Sequence, residues 1–134
     1  MTACAELFKE NLESKGLHYV ARVDSDGDDV IIFPYKGREV RMFFYGEEGS
    51  YLSLYMVYEN VPEDRITDAV FLCNEINTEY KWVTFYLDKD RDIIVHDDAI
   101  LTTDNAADEA FELLVRLIQI SDGAKNRVMK MIFG

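Results

Sequence analysis

The chain has little cysteine, histidine and positive charge, and each shortage excludes a class of protein. Two cysteines in 134 residues are too few for the disulfide framework that holds many small secreted domains together. Only 14 Lys and Arg stand against 26 Asp and Glu, which gives a net charge of −12. Because nucleic acid and anionic membrane surfaces are bound through Lys and Arg, we expect neither as a partner.

Long hydrophobic runs are also absent. Charged side chains occur repeatedly between Glu6 and Lys15, so residues 1–16 contain no uninterrupted apolar segment of the kind found in signal peptides. No apolar run approaches the length that crosses a bilayer. Cys4 and Cys73 fall at apolar positions of predicted helices, which favours buried free thiols in a reducing compartment. We therefore expect a cytoplasmic protein.

Apolar residues are nevertheless plentiful, since hydrophobic residues make up 49% and aromatic residues 13% of the chain. This apolar surface is large enough to offset the conformational entropy lost on folding, so the acidic composition does not indicate disorder. A chain of this length forms one domain around one core. We expect a single domain over residues 1–134.

The spacing of apolar residues alternates along the chain between the helical period and the strand period. Gly16 ends the first helical segment, and Gly123 leaves open whether the last helix is continuous, because glycine costs about 1 kcal/mol relative to alanine inside a helix. The predicted helices cover residues 2–15, residues 62–78 and a segment starting at Thr103 or Asp104. The predicted strands cover residues 17–23, 30–35, 39–45, 50–58, 80–87 and 92–96. This order predicts an α+β fold with three helices and one mostly antiparallel sheet of five to six strands.

Several predicted strands carry apolar side chains on both faces. If the helices cover the more aliphatic face, the other face presents an aromatic surface that is too large to remain in contact with water. Aromatic residues dominate the energetics of protein interfaces, so we expect this surface to form a homodimer or to bind a protein or peptide partner. Each of these residues taken singly is also compatible with an ordinary core position. The candidate residues are Phe43, Tyr45, Tyr51, Tyr55, Trp82 and Tyr86.

Residue patterns for catalysis are sparse. The glycines form no phosphate-binding loop, and no histidine stands near a credible serine or cysteine nucleophile in the sequence, so a triad lacks its base. His18 and His96 each lie at the end of a predicted strand, where they could share a zinc ion with Asp97 or Asp98. The simpler interpretation of the two aspartates is a turn before the last helix. We expect no enzyme, no metal and no cofactor.

An acidic stretch between two predicted strands invites comparison with a calcium-binding loop. Asp24, Asp26 and Asp28 match the first, third and fifth positions of an EF-hand. Asp29 and Tyr35 then occupy the positions that require glycine and a bidentate glutamate. The pattern therefore favours a hairpin turn with solvated carboxylates.

The segment over residues 73–101 contains an asparagine-bearing helix end, a tyrosine, an aromatic strand of the form WVxFYxD, an acidic hairpin turn and a DAxL entry to the last helix. In these features the sequence resembles the YbjN-like domain family. The resemblance extends over residues 60–132, and the N-terminal half matches only in the order of its elements. The matching residues are Asn74, Asn77, Tyr80, Trp82, Val83, Phe85, Tyr86, Asp88, Asp98, Ala99 and Leu101.

The resemblance implies a fold like that of type III secretion chaperones, which are small, acidic, cytoplasmic and dimeric. It also implies a bacterial protein of a family described as regulators of sensory transduction, with no assigned catalytic residues. The chain departs from the chaperone plan by having four strand-like segments, where that plan has three, before the second helix.

The combined prediction is a non-enzymatic, chaperone-like binding or regulatory module that is dimeric and engages a protein or peptide partner. One alternative is a small metal-dependent enzyme that uses His18, His96, Asp97 and Asp98. Another alternative is an acidic mimic of nucleic acid that blocks a basic protein surface through its charge.

Overall fold

Six antiparallel strands form one sheet in the computed structural model, which describes residues 1–134. Counted along the chain, the strands lie side by side in the order first, second, third, fourth, sixth and fifth. The helices are α1 (Ala3–Ser14), α2 (Ile66–Glu79) and α3 (Ala106–Phe133), with a short 3₁₀ turn at Glu63–Arg65 before α2. The strands are β1 (Val20–Val23), β2 (Asp29–Tyr35), β3 (Arg38–Tyr45), β4 (Tyr51–Asn60), β5 (Thr84–Leu87) and β6 (Asp92–Ile100).

The structure confirms the predicted α+β fold and the order of its elements. Four separate strands precede α2, because β1 pairs with β2 and β2 pairs with β3. The predicted ends of some strands were wrong. Strand β1 begins only at Val20, and β5 begins only at Thr84.

Strand β6 is longer than predicted, and its extension changes the place of two candidate residues. Asp97 and Asp98 do not form a turn, because β6 continues through them to Ile100. Along this stretch Asp97 pairs with Leu54 and Asp98 pairs with Ser53. Backbone pairing with the long central strand β4 thus overrides the low strand preference of aspartate.

All three helices pack on the same face of the sheet. Because side chains alternate between the two faces of a strand, every second strand residue reaches this helix-covered face. On the helix side, Phe8 of α1 contacts Phe44 of β3, with their ring centroids 5.9 Å apart. The strand residues of this core are Ile31, Val40, Met42, Phe44, Leu52, Leu54, Met56, Tyr58, Phe85, Ile93 and Val95.

The last helix is continuous through Gly123, which answers the question that the sequence left open. Its middle is fastened to the sheet, because the buried hydroxyl of Tyr58 donates a hydrogen bond to the carbonyl oxygen of Ser121 at 2.6 Å. Burial raises the pKa of Tyr58 to about 12, so this hydroxyl keeps its proton. A Cβ at position 123 would lie 3.2 Å from the hydroxyl oxygen of Tyr80. Glycine therefore lets Tyr80 approach the helix, and tertiary packing offsets the low helix preference of this residue.

A side chain protects one edge of the sheet. Strand β5 is an edge strand, and the carboxamide of Asn77 in α2 lies beside it. The side-chain amide of Asn77 donates to the carbonyl oxygen of Phe85 at 2.9 Å, and the backbone N–H of Phe85 donates to Asn77 Oδ1 at 2.8 Å. These two bonds occupy the groups of Phe85 that another strand would otherwise pair with.

Replacing Asn77 with alanine should lower the free energy of unfolding by about 1–3 kcal/mol, because two partly buried backbone groups lose their partners. Urea denaturation measures this loss. The matched control is Asn74→Ala, one turn earlier on an exposed part of α2, which should change stability by less than about 0.5 kcal/mol. Equal effects of the two substitutions would contradict the edge-protecting role of Asn77.

A double-mutant cycle at Gly123 and Tyr80 tests the close approach at α3. In a Tyr80→Phe background, Gly123→Ala should stabilise the protein by about 1 kcal/mol, the usual helix preference of alanine over glycine. In the protein that keeps Tyr80, the same substitution should raise the free energy of unfolding by less, since the new Cβ meets the Tyr80 hydroxyl. Equal gains in both backgrounds, measured by urea denaturation, would show that this contact does not decide the choice of glycine.

Candidate functional site

No helix packs on the opposite face of the sheet. We call it the open face, and define it by the side chains that alternate with the core residues of the strands. Its centre lies on β3, β4 and β6, and three of its aliphatic residues, Val30, Ile32 and Ile94, are buried. The residues at and around this centre are Arg41, Phe43, Tyr45, Tyr51, Ser53, Tyr55, Val57, Tyr86, Ile94, His96, Asp98 and Ile100.

Stacked aromatic rings form the middle of the open face. The ring of Phe43 lies nearly parallel to that of Tyr55, with centroids 5.6 Å apart, and to that of Tyr45, with centroids 6.0 Å apart. Tyr51 lies directly opposite Tyr45 in the sheet register and is 57% exposed. Such stacking fixes the rings in place and presents a rigid apolar surface.

A shallow depression of about 680 Å³ lies at one end of the open face. Tyr45, Tyr51 and Ile100 provide apolar walls, and Ser53 and Asp98 provide polar groups. Its volume falls in the range of ligand sites, and its lining combines apolar walls with a few polar groups, as such sites do.

Burial and neighbouring acids act on the tyrosines of this surface. Partial burial raises the pKa of Tyr45, and the carboxylates of Asp28, Asp24 and Asp98 raise it further. Burial also raises the pKa of Tyr86, as do nearby acidic groups that include Asp98. Both hydroxyls therefore remain neutral hydrogen-bonding groups at physiological pH.

Five of the six aromatic residues singled out from the sequence lie together on the open face: Phe43, Tyr45, Tyr51, Tyr55 and Tyr86. Trp82 does not join them. It precedes β5, so the alternation of that strand does not extend back to it.

Trp82 instead packs against an ion pair between α3 and the sheet. The guanidinium of Arg116 lies 4.7 Å from the centroid of the Trp82 ring, and its Nη2 donates to Asp97 Oδ2 at 3.2 Å. The side chain of Asp97 is only 10% exposed, and Arg116 Nε is buried without a hydrogen-bond partner. The Arg116–Asp97 pair thus connects α3 to the sheet, and Trp82, which is 60% exposed, lies over its guanidinium.

His96 lies in the middle of β6, not at its end as predicted. Its Nε2 atom is 3.1 Å from Ser53 Oγ and 3.0 Å from Asp98 Oδ1. The fold therefore brings a serine beside His96, although the two residues are 43 positions apart in the sequence. A Ser-His-Asp triad, however, uses both ring nitrogens, one towards serine and the other towards aspartate. Here both neighbours share one nitrogen, so this cluster does not have the geometry of a proton relay.

The four residues of the metal-dependent alternative do not form one site. His18 precedes the edge strand β1, which stands four strand spacings, roughly 19 Å, from β6. Asp97 points to the helices, whereas His96 and Asp98 point to the open face.

The only close group of three metal-ligating side chains is Asp24, Asp26 and Asp28, whose oxygens lie within 4.8 Å of one another. Asp24 Oδ1 accepts the backbone N–H groups of Asp26 and Asp28 at 3.0 and 2.9 Å, as expected for a polar turn. Desolvation raises the pKa of the Asp28 carboxyl, and the charges of Asp24 and Asp26 raise it further. The hairpin turn adequately explains these carboxylates, of which Asp26 is exposed and the other two are partly exposed.

None of the helices is long and apolar enough to cross a membrane.

Sequence comparison matches residues 5–121 to the YbjN family model, described as "Putative bacterial sensory transduction regulator". The match covers the N-terminal half of the chain as well as the segment that carried the resemblance. No curated protein gives a significant match to the sequence.

Two solved structures resemble this fold. The crystal structure of YbjN from E. coli superposes with a TM-score of 0.65 at 11% identity, covering 92% of each chain. The Yersinia pestis type III secretion chaperone SycH, solved in complex with a stable fragment of YscM2, superposes with a TM-score of 0.52 at 12% identity. This second likeness covers 87% of the present chain and 98% of SycH. At these identities the likeness concerns the fold alone.

Trp82 is the only tryptophan of the chain, so its fluorescence can report on the Arg116–Asp97 ion pair that it contacts. Arg116→Gln should lower the free energy of unfolding by about 1–3 kcal/mol, because the sheltered Asp97 carboxylate loses its charged partner. Because the ring is already 60% exposed, the emission of Trp82 should change in intensity as the guanidinium leaves it, with little shift in wavelength.

The control is the double variant Asp97→Asn, Arg116→Gln, which leaves no unpaired charge and should recover part of the lost stability. An unchanged emission spectrum in Arg116→Gln would show that the guanidinium does not cover the ring.

Proposed function

Since this chain belongs to the YbjN family, we propose that it is a non-enzymatic protein-binding module of regulatory or chaperone type. We propose that its binding surface is the open face of the sheet.

The observation that carries this proposal is the aromatic surface that remains uncovered once all three helices have packed. Tyr51, Tyr86 and Ile100 are 57%, 43% and 76% exposed, and they lie on one continuous sheet surface. Contiguous apolar surface of this kind marks interaction sites in soluble proteins. The neighbouring rings of Phe43, Tyr45 and Tyr55 are stacked on one another, so they lose little conformational entropy when a partner binds.

The comparisons support a binding role over a catalytic one. The family is described as regulatory, and SycH, which shares the fold, is a chaperone solved with a protein fragment. The His96 cluster, the only place where a histidine meets a hydroxyl side chain, lacks the geometry of a relay. A partner protein therefore explains the open face better than a substrate does.

A homodimer is the second candidate, because another copy of the chain would also cover the open face. The exposed aromatic residues favour such self-association, whereas the net charge of −12 on each copy opposes it. Counting subunits separates these two occupants of the same surface.

We propose a cytoplasmic location for the same module. Both cysteines are buried and free, and burial raises the pKa of the Cys4 and Cys73 thiols. Thiols of this kind are unreactive and are typical of proteins from a reducing compartment.

Replacing Tyr51 and Tyr55 together with serine should abolish association of the protein while leaving its far-UV circular dichroism unchanged. The physical reason is that both rings contribute to the surface and neither belongs to the helix-covered core. Native mass spectrometry of protein purified from its host reads the mass of the bound partner or second copy in one experiment.

The matched control removes two exposed aromatic rings elsewhere, with Phe71→Ser in α2 and Phe133→Ser at the end of α3. These rings are 71% and 78% exposed and lie off the open face. The control should keep the associated mass. Equal loss in both variants, or no loss in either, would contradict the proposed surface, and unfolding of the tyrosine variant would instead place these two rings in the core.

A further inference from the structure

One row of side chains crosses the sheet at the depression on the open face. Tyr45 of β3 pairs with Tyr51 of β4, and Tyr51 pairs with Ile100 of β6. Ile100 is 76% exposed, although it is a large aliphatic residue within a strand. Two tyrosine rings beside an exposed isoleucine form a surface for apolar side chains, and the tyrosine faces also attract cations.

Negative charge borders this row on two sides. Asp98 lies in the next row, with its carboxylate 65% exposed and only one oxygen bonded, to His96. On the other side stands the β1–β2 turn with Asp24, Asp26 and Asp28. Tyr45 and Asp98 line the same depression, and the pKa of the Tyr45 hydroxyl is raised by partial burial and then by the carboxylates of Asp28, Asp24 and Asp98.

The positive charges of the open face do not balance these acids. Arg41 is paired with Glu39 at 3.2 Å, and Arg22 lies on the edge strand β1. No Lys or Arg lines the depression. The apolar row thus lies in a field of negative charge, within a chain whose net charge is −12.

We infer that the open face binds a partner protein through a segment in which cationic and apolar side chains alternate. A Lys or Arg of this segment pairs with Asp98, and the neighbouring apolar side chains cover Tyr45, Tyr51 and Ile100. This inference rests on the proposed function and names the chemistry of the partner.

Charge complementarity decides between this partner and a second copy of the chain. In a twofold symmetric contact the same patch of both copies forms the interface, so the acids around the depression would lie near those of the second copy. Like charges placed against each other at an interface oppose binding, whereas a cationic segment neutralises them. The cation also gains from the tyrosine faces and from a charge-assisted hydrogen bond to the free oxygen of Asp98.

Three labelled peptides of about eight residues, long enough to span the face in an extended form, test the inference by fluorescence anisotropy. In one peptide Leu alternates with Lys, and in the other two Gln or Glu replaces every Lys. The Lys peptide should bind about tenfold more tightly than the Gln peptide, and the Glu peptide should not bind. Added salt should weaken the binding of the Lys peptide and leave the binding of the Gln peptide unchanged.

Variants of the protein locate the binding. Asp98→Asn should weaken the Lys peptide about threefold, as expected for a partly exposed ion pair, with no effect on the Gln peptide. The control Asp64→Asn removes the same charge beyond the opposite end of β4, about 30 Å from Tyr51, and should change neither. Tyr51→Ser with Tyr55→Ser should weaken both peptides.

The outcomes separate the inference from the proposed function. Equal binding of the Lys and Gln peptides, both lost in the tyrosine variant, would overturn the cationic partner and keep the open face as a binding surface. Equal effects of Asp98→Asn and Asp64→Asn would show that the attraction depends only on the net charge of the protein. This result would also overturn the inference. No binding of any peptide, together with a dimer in native mass spectrometry that the tyrosine variant abolishes, would assign the face to a second copy. If the tyrosine variant changes neither peptide binding nor association, the proposed function fails as well.

Discussion

The packing of all three helices on one face of the sheet is the constraint on which the rest of this structure depends. A strand presents side chains to both faces, so one-sided cover divides every strand into a buried set and an unburied set. On the covered side, Phe8 and Tyr58 connect α1 and α3 to the sheet through ring contact and a buried hydrogen bond. No helix covers the opposite side, which is rich in aromatic residues. The packing that stabilises the fold therefore also leaves this aromatic face without a helical cover.

The β5 edge and the open face of the sheet present different groups to solvent. At the β5 edge, Asn77 occupies the backbone groups of Phe85, which discourages pairing with another strand. The open face presents stacked rings and the exposed carboxylate of Asp98, so it offers side-chain contacts instead of backbone hydrogen bonds. The fold is shared with SycH, a type III secretion chaperone solved in complex with a fragment of YscM2. A negatively charged surface repels a copy of itself and attracts a cationic segment, whereas apolar contact alone does not discriminate between a second copy and another protein.

Much of the candidate site could be predicted from the sequence, because it follows from period-two alternation within single strands. Phe43 and Tyr45, or Tyr51 and Tyr55, share a face whatever the neighbouring strands are. Trp82 lies apart from the other five residues, since the strand begins after it and local alternation does not apply there. The cluster of Ser53, His96 and Asp98 was missed, because Ser53 and His96 are 43 residues apart and meet only through the register of β4 with β6.

The element types, their order, the family resemblance and the strands that are apolar on both faces could all be recognised in the sequence. Each of these is encoded in residues that are close together along the chain, where spacing and turn residues act locally. The covered face of the sheet, the length of β6, the fit of Gly123 within α3 and the hydrogen bonds of Asn77 follow only from the tertiary structure. These features depend on contacts between distant segments, whose free energies exceed local preferences and are not readable from any one segment.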